Sequence, residues 1–216
     1  MNRDQKKGTP QGSPLSPLLS NLYMRQFTEK WKEFGLETLL GARIVNYADD
    51  FVICCKEGCA ESALSAMRVM MEKLKLTVNE NKTQICHMPE GEFDFLGYTF
   101  SRLYPIGKGR SHIGIRPSEN SIKRMTDTIY LQTGRDKEKM DIEKVVYKLN
   151  QKLRGWASYF QLGSVTQSYH YLDRYTITLF RRWLYRKHKQ QGRNIHCYPD
   201  EYFYKELGLI QLAKLL

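Results

Sequence analysis

Two short runs rich in β-branched and apolar residues, Ala42-Arg43-Ile44-Val45-Asn46 and Phe51-Val52-Ile53-Cys54-Cys55, are separated only by Tyr47-Ala48-Asp49-Asp50. Runs of this kind are predicted to be strands, and so tight a spacing forces them into an antiparallel hairpin. The tip then carries two adjacent carboxylates. Hard cations such as Mg²⁺ take a few rigidly placed oxygen ligands and leave room for substrate phosphates. Two such ions a few ångström apart can clamp the attacking and leaving oxygens of a phosphoryl transfer. Asp-Asp is also ordinary turn chemistry, so the tetrad alone leaves both readings open.

The charge is unevenly placed. The 216 residues carry a formal net charge of +11. Residues 1–110 hold 15 Lys and Arg against 13 Asp and Glu, and residues 111–216 hold 19 against 10. Excess positive charge interleaved with tyrosine and tryptophan suggests a polyanion, most often nucleic acid. A solvated basic surface is the competing reading. No stretch approaches the roughly 18 apolar residues of a membrane span, and the polar start, Met1 to Lys7, does not resemble a signal peptide. The five cysteines suggest no disulfide framework, and Cys54, Cys55 and Cys59, which lack a histidine at zinc-finger spacing, are expected to be buried strand or helix residues. A reducing cytoplasm is the expected location, with no membrane partner.

Gly8-Thr9-Pro10-Gln11-Gly12-Ser13-Pro14 is a loop by composition. Ser16 is the expected N-cap of a first helix, with Pro17 at its first position. Leu18, Leu19, Leu22, Tyr23, Phe27, Trp31 and Phe34 follow at helical spacing. A second helix is expected over about 60–76. Lys82–Cys86 and Phe93–Phe100 are expected as strands. From Pro117 on, helices are expected near 118–132, from Asp141 to about Phe160, and over about 166–190. The expected division is 1–107, a linker at 108–117, and a helical domain at 118–216. A split βαβ sheet would need one more strand ahead of the first helix.

Five pieces in order carry a family resemblance: Gly8 to Leu19, Tyr47-Ala48-Asp49-Asp50-Phe51, Leu76 to Thr83, Phe95-Leu96-Gly97-Tyr98, and Leu153-Arg154-Gly155-Trp156-Ala157-Ser158-Tyr159-Phe160. The chain resembles the reverse transcriptase/maturase proteins encoded by bacterial group II introns, retroelements whose proteins combine RNA splicing with reverse transcription. The resemblance implies an α+β fold: an incomplete ferredoxin-like polymerase palm followed by an all-helical thumb, the maturase domain X. It implies an RNA-directed DNA polymerase, a nucleotidyltransferase of the two-metal kind that uses Mg²⁺ or Mn²⁺. Its partners would be structured intron RNA, an RNA template with a DNA primer, and dNTP.

The resemblance also assigns roles. Asp49 and Asp50 would be metal ligands and catalytic. Tyr47 and Ala48 would floor the site under the primer end, and Gln11 and Gly12 would lie against the incoming nucleotide and template. Lys82 would stand near the leaving pyrophosphate; a lysine that blunts a strand edge is the other reading. Leu96 and Gly97 would belong to the primer grip. Trp156 and Phe160 are expected to pack between helices. Lys148, Lys152 and Arg154, and the run Arg174, Arg181, Arg182, Arg186, Lys187 and Lys189, are candidates for RNA phosphates. The family carries a third carboxylate on a strand before the Gln-Gly loop, and Asp4 sits in no such context. The expectation is therefore an N-terminally truncated form, inactive alone, to which a fingers/palm segment in trans could restore the polymerase. The alternative function is a non-catalytic RNA-binding splicing module. No nuclease pattern follows the thumb.

Overall fold

The computed structural model describes residues 13–104, 111–190 and 197–216. Helices dominate, and the strands form two small sheets, an α+β arrangement. The chain divides into two compact units, residues 1–86 and 87–216. No described helix is long and apolar enough to cross a membrane.

The first unit runs α1 (Leu15–Glu33), α2 (Leu36–Leu39), β1 (Arg43–Tyr47), β2 (Asp50–Cys54) and α3 (Ala60–Lys73). Helix α1 starts ahead of the expected Ser16 cap. Pro14 is the N-cap residue, and the Ser13 hydroxyl accepts the Leu15 N–H at 3.3 Å. Pro17 falls in the first turn, where its missing N–H has no intrahelical partner to lose. Of the expected apolar stripe only Phe27 and Trp31 are buried, joined by Met24; Leu18, Leu19, Leu22, Tyr23 and Phe34 are exposed. Met24, Phe27 and Trp31 pack with Ala63, Met67, Met70 and Met71 of α3. The buried Trp31 indole donates to the Ala42 carbonyl at 2.9 Å, which fixes the start of β1 against α1.

The hairpin alternates as a half-buried ribbon should. Ile44 pairs with Ile53 and Asn46 with Phe51 on the face toward the helices, where Phe27 meets Phe51 at 5.5 Å between ring centroids. The other face carries the pairs Arg43–Cys54, Val45–Val52 and Tyr47–Asp50. Lys82–Cys86 is not a strand. The Asn79 carbonyl instead accepts the N–H groups of Lys82 and Thr83 and the Thr83 hydroxyl, at 3.0 to 3.1 Å. That local turn competes with extended pairing.

The second unit opens with an antiparallel sheet of β3 (Phe93–Phe95), β4 (Tyr98–Leu103) and β5 (His112–Pro117). Two expectations change here. Phe93–Phe100 is a hairpin rather than one strand, because Leu96 and Gly97 both have positive φ, 52° and 79°. That is the type I′ pattern, whose twist matches the flanking strands. The expected linker contains β5, whose Ile113 and Ile115 lie two apart, at strand period. Residues 105–110 lie outside the described segments. By compactness the sheet groups with the helices, and the two units divide between residues 86 and 87. Among the described residues the expected single palm sheet is two separate sheets.

Helices α4 (Glu119–Gln132), α5 (Ile142–Tyr159) and α6 (Thr166–Lys187) follow. The Ser118 side chain caps α4 by accepting the Ser121 N–H at 3.2 Å. The core holds Ile129, Leu149, Leu153, Leu172, Phe180, Trp183 and Leu184, closed by Phe203, Leu209 and Leu212. Asn150 ties down the C-terminal segment by donating to Gly208 O and accepting from the Ile210 N–H, both at 2.8 Å. Asp173 accepts the N–H groups of Leu212 and Ala213 at 2.8 and 2.9 Å.

Burial pushes the Asp173 carboxyl above its ordinary value of 3.8, against the opposing pull of those two N–H groups and His170. A carboxyl raised on folding contributes stability that is present below the ordinary value and lost as pH rises through the folded one. The stability of the wild type relative to Asp173→Asn is therefore expected to fall as pH rises from about 4. Urea denaturation of both proteins at several pH values checks it. A relative stability that rises with pH would contradict this sign.

Candidate active site and nucleic-acid interface

The aspartate tip is a two-residue turn. Tyr47 pairs with Asp50, leaving Ala48 and Asp49 as the central residues. Ala48 has φ 54°, a left-handed conformation rarely adopted by residues other than glycine, asparagine and aspartate. Asp49 and Asp50 are exposed, and their carboxylates have no hydrogen-bond or ion-pair partner among the described residues. Tyr47 is 66% exposed and Val45 54%. Tyr47, Val45 and Asp50 share the face turned away from α1 and α3, so a ligand on that face meets an aromatic ring, an aliphatic patch and a carboxylate in sequence. Sequence reasoning did not single out Val45 and Val52, which share the face of Tyr47 and Asp50. The period-two alternation of β1 and β2 is the signal that places them beside Tyr47.

Two unpaired carboxylates suit a hard divalent cation, but they are a partial ligand set. No group of three His, Cys, Asp or Glu that could hold a metal occurs among the described residues. Lys82 is exposed, in the turn that follows Asn79. Gln11 and Gly12 lie outside the described segments. Cys54 is exposed and Cys55 and Cys59 are intermediate, so none of these three is buried as expected.

The Leu96–Gly97 turn is held inside the second unit. Tyr159 Oη donates to the Leu96 carbonyl at 2.9 Å. The Gly97 carbonyl accepts the Ser118 N–H at 2.8 Å and the Ser121 hydroxyl at 2.9 Å. Tyr98 Oη donates to Tyr159 O at 2.6 Å, and its ring lies 5.0 Å from that of Phe160. A Cβ on Gly97 would stand 2.9 Å from Ser121 Oγ. Trp156 is half-buried against Phe160 and Tyr169, at 4.7 and 5.9 Å, which agrees with helix packing.

The basic residues of the helical unit divide into two classes. Arg181 Nε donates to Tyr198 O at 2.9 Å, and its guanidinium pairs with Asp200 and lies over the Phe203 ring. Arg186 binds Glu138 and the Thr133 carbonyl, each at 2.7 Å. Lys187 donates to the carbonyls of Met140, at 2.7 Å, and Glu138, and lies over Trp183. These three hold the α6 end to the 133–140 connection and the C-terminal segment. Lys148, Lys152 and Arg154 on α5, with Arg174, Arg182 and Lys189, are exposed and have no such partners among the described residues. Arg135 joins this free class, although its sequence context gave no signal for it.

Two family models match the chain. The family model for reverse transcriptase (RNA-dependent DNA polymerase) matches residues 1–100, and that for the group II intron maturase-specific domain matches residues 122–199. The chain belongs to the group II intron reverse transcriptase/maturase family. A curated relative, Protein YkfC of Escherichia coli (strain K12), is 30% identical over 130 residues, covering 46% of this chain and 34% of that protein. The chain thus spans about a third of the length of the curated relative it matches. The reverse transcriptase match runs past the boundary between the compact units, into β4. In this reverse transcriptase/maturase chain the last strands of the polymerase match therefore fold with the maturase helices.

The two classes of basic residue predict different outcomes. Arg181→Ala is expected to destabilise the helical unit by about 1.5–3 kcal/mol, because it leaves a part-buried carbonyl and ring without their charged partner. It is expected to leave the salt dependence of RNA binding unchanged. Arg154→Ala should leave stability within about 0.5 kcal/mol and reduce the slope of log affinity against log salt by about one unit. Denaturant melts and RNA titrations on the same two variants check both halves.

Proposed function

We propose that these residues supply the aspartate hairpin and the RNA-gripping helices of an RNA-directed DNA polymerase that also acts as an intron-RNA maturase. The observation that carries the reading is the Tyr47–Asp50 tip: two unpartnered carboxylates at a hairpin end, beside an exposed aromatic and aliphatic face. Asp49 and Asp50 would hold Mg²⁺ or Mn²⁺, which when bound stabilises charge on the attacking and leaving oxygens of nucleotidyl transfer. Tyr47, Ala48 and Val45 offer the flat surface on which a primer end rests. Gln11 and Gly12 belong, on the family pattern, against the incoming dNTP and the template. Lys82 is free to meet the leaving pyrophosphate and neutralise or protonate it.

In the second unit the Leu96–Gly97 turn takes the primer-grip role, and its backbone is kept in place by Ser118, Ser121 and Tyr159. Lys148, Lys152, Arg154, Arg174, Arg182 and Lys189 remain the candidates for RNA phosphates. Arg181, Arg186 and Lys187 support that surface from within. Two carboxylates make an incomplete cage for two ions, so a third carboxylate must come from outside the described residues. The 216 residues alone are expected not to extend a primer, and an added palm segment carrying that carboxylate is expected to restore extension. Primer-extension assays with and without the added segment test this. Efficient extension by the 216 residues alone, lost on Asp49→Ala, would overturn the third-carboxylate requirement.

A second reading, a splicing module that binds RNA without polymerising, is favoured by one observation: the net positive charge is concentrated in residues 111–216, which hold 19 Lys and Arg against 10 Asp and Glu. Under that reading the chain binds structured RNA in a salt-dependent way, and Asp49→Ala changes neither that binding nor splicing. Under the first reading Asp49→Ala leaves binding intact and removes extension.

A further inference from the structure

The C-terminal end of α4 and the second half of α6 enclose a cleft of about 460 Å³. Its apolar walls are Tyr130, Leu131 and Leu179. Tyr130 is 62% exposed and Leu131 64%, so two large apolar side chains meet solvent side by side at a concave place. Scattered exposed apolar residues need no explanation, but a clustered pair lining a cleft does. Arg135 and Arg182 also line it, exposed and without a hydrogen-bond or ion-pair partner among the described residues.

The remaining charges of the cleft are already engaged. Arg186 is held by Glu138 and Thr133 O. Asp136 is paired with Lys137 at 2.8 Å, whose ammonium holds the Asp136 carboxyl below its usual range. Two guanidinium groups are left over, which gives the mouth a net positive character.

We propose that this cleft takes one unpaired nucleotide of a bound RNA, its base stacked on Tyr130 and its phosphate engaged by Arg135 and Arg182. The inference rests on the RNA-binding reading above and specifies which part of the RNA is recognised. The volume falls in the range of single-ligand sites. A flat apolar wall with planar, always-charged donors beside it matches a base joined to a phosphate. A paired base cannot enter, since its faces are stacked within the helix, whereas bulges and loops present theirs. The aromatic surface continues along α6, where Tyr171 stacks on Tyr175 at 6.1 Å and 25°. Tyr175 also lies near enough to Asp127, Tyr130 and Arg182 to interact with all three electrostatically.

The test uses the whole chain and three labelled RNA duplexes of equal length: fully paired, with one bulged nucleotide, and with that bulge made abasic. Wild type is expected to bind the bulged RNA about tenfold more tightly than the paired one, and the abasic RNA no better than the paired one. Tyr130→Ala, at an exposed position, is expected to erase the preference, and Tyr130→Phe to keep it. Arg182→Ala should lower the salt slope for the bulged RNA by about one unit. Equal affinity for all three RNAs, the result expected of a cleft that serves a protein partner, overturns the proposal. So does a preference that survives Tyr130→Ala, or a Tyr130→Ala loss that is equal for all three RNAs. Absence of binding to any of them at low salt overturns the RNA-binding reading itself.

Discussion

Asp49→Ala is expected to slow primer extension by about a thousandfold or more in any assembly of this chain that polymerises. Removing a metal-binding carboxylate forfeits several kcal/mol of transition-state stabilisation, and each ~1.4 kcal/mol is a factor of ten in rate. The substitution should be almost silent in every other respect. Asp49 is exposed and its carboxylate holds no other part of the fold. It sits at the second central position of a turn whose backbone is set by the Tyr47–Asp50 pair and by Ala48. Folding and RNA affinity are thus predicted to stay at wild-type values while the extension rate collapses. Single-turnover extension, measured beside a denaturant melt and an RNA titration, separates these quantities. An Asp49→Ala protein that extends at more than a tenth of the wild-type rate would remove the hairpin from the chemistry.

Gly163→Ala carries the largest expected loss of stability in the helical unit. Gly163 turns the chain between α5 and α6 at φ 77°, and a Cβ there would stand 2.2 Å from the carbonyl oxygen of Ile115. The left-handed conformation costs an alanine about 1–2 kcal/mol, and forcing apart a backbone contact adds about 1–3 kcal/mol. The same carbonyl accepts the Ser164 N–H at 2.8 Å, so relief of the collision lengthens that bond. Gly155→Ala is the natural control. Gly155 lies inside α5, a Cβ there would meet nothing within 4 Å, and alanine should stabilise by up to about 1 kcal/mol. Hydrogen exchange of α5 and α6 amides reads both changes without mixing in the first unit. Equal protection in the two variants would contradict the assigned geometry.

Much of this arrangement is legible from local pattern. Ile44, Phe51 and Ile53 announce a hairpin by alternation, and Val145, Val146, Leu149 and Leu153 announce α5 by helical spacing. The expected helix start near residue 118 holds, and Ser118 caps it. What is not legible depends on partners distant in the chain. The turn at Leu96 is stabilised by Tyr159, 63 residues later, so β3 and β4 read as one strand and as part of the first unit. Arg181 and Arg186 reach carbonyls 17 and 53 residues away. Nothing in a helical run of arginines tells which of them will be consumed in this way. Lys82–Cys86 carries strand-like residues, but the Asn79 turn ahead of it decides the local backbone. The aspartate tip is visible because its chemistry is contiguous in sequence.

The docking of the Leu96–Gly97 turn has a practical corollary for dissecting the protein. A fragment cut at Ser118, where helices begin, would deprive the Ser118 amide and the Ser121 hydroxyl of the carbonyl they share, and Tyr159 of its acceptor. It would also uncover the rings of Phe160 and Tyr159 that Tyr98 covers. A fragment that starts at His87 keeps all of these, together with the Ile115 carbonyl beneath Gly163. The smallest self-sufficient piece of this chain is therefore expected to be a sheet and its helices together, and expression trials of the two fragments should differ sharply in soluble yield.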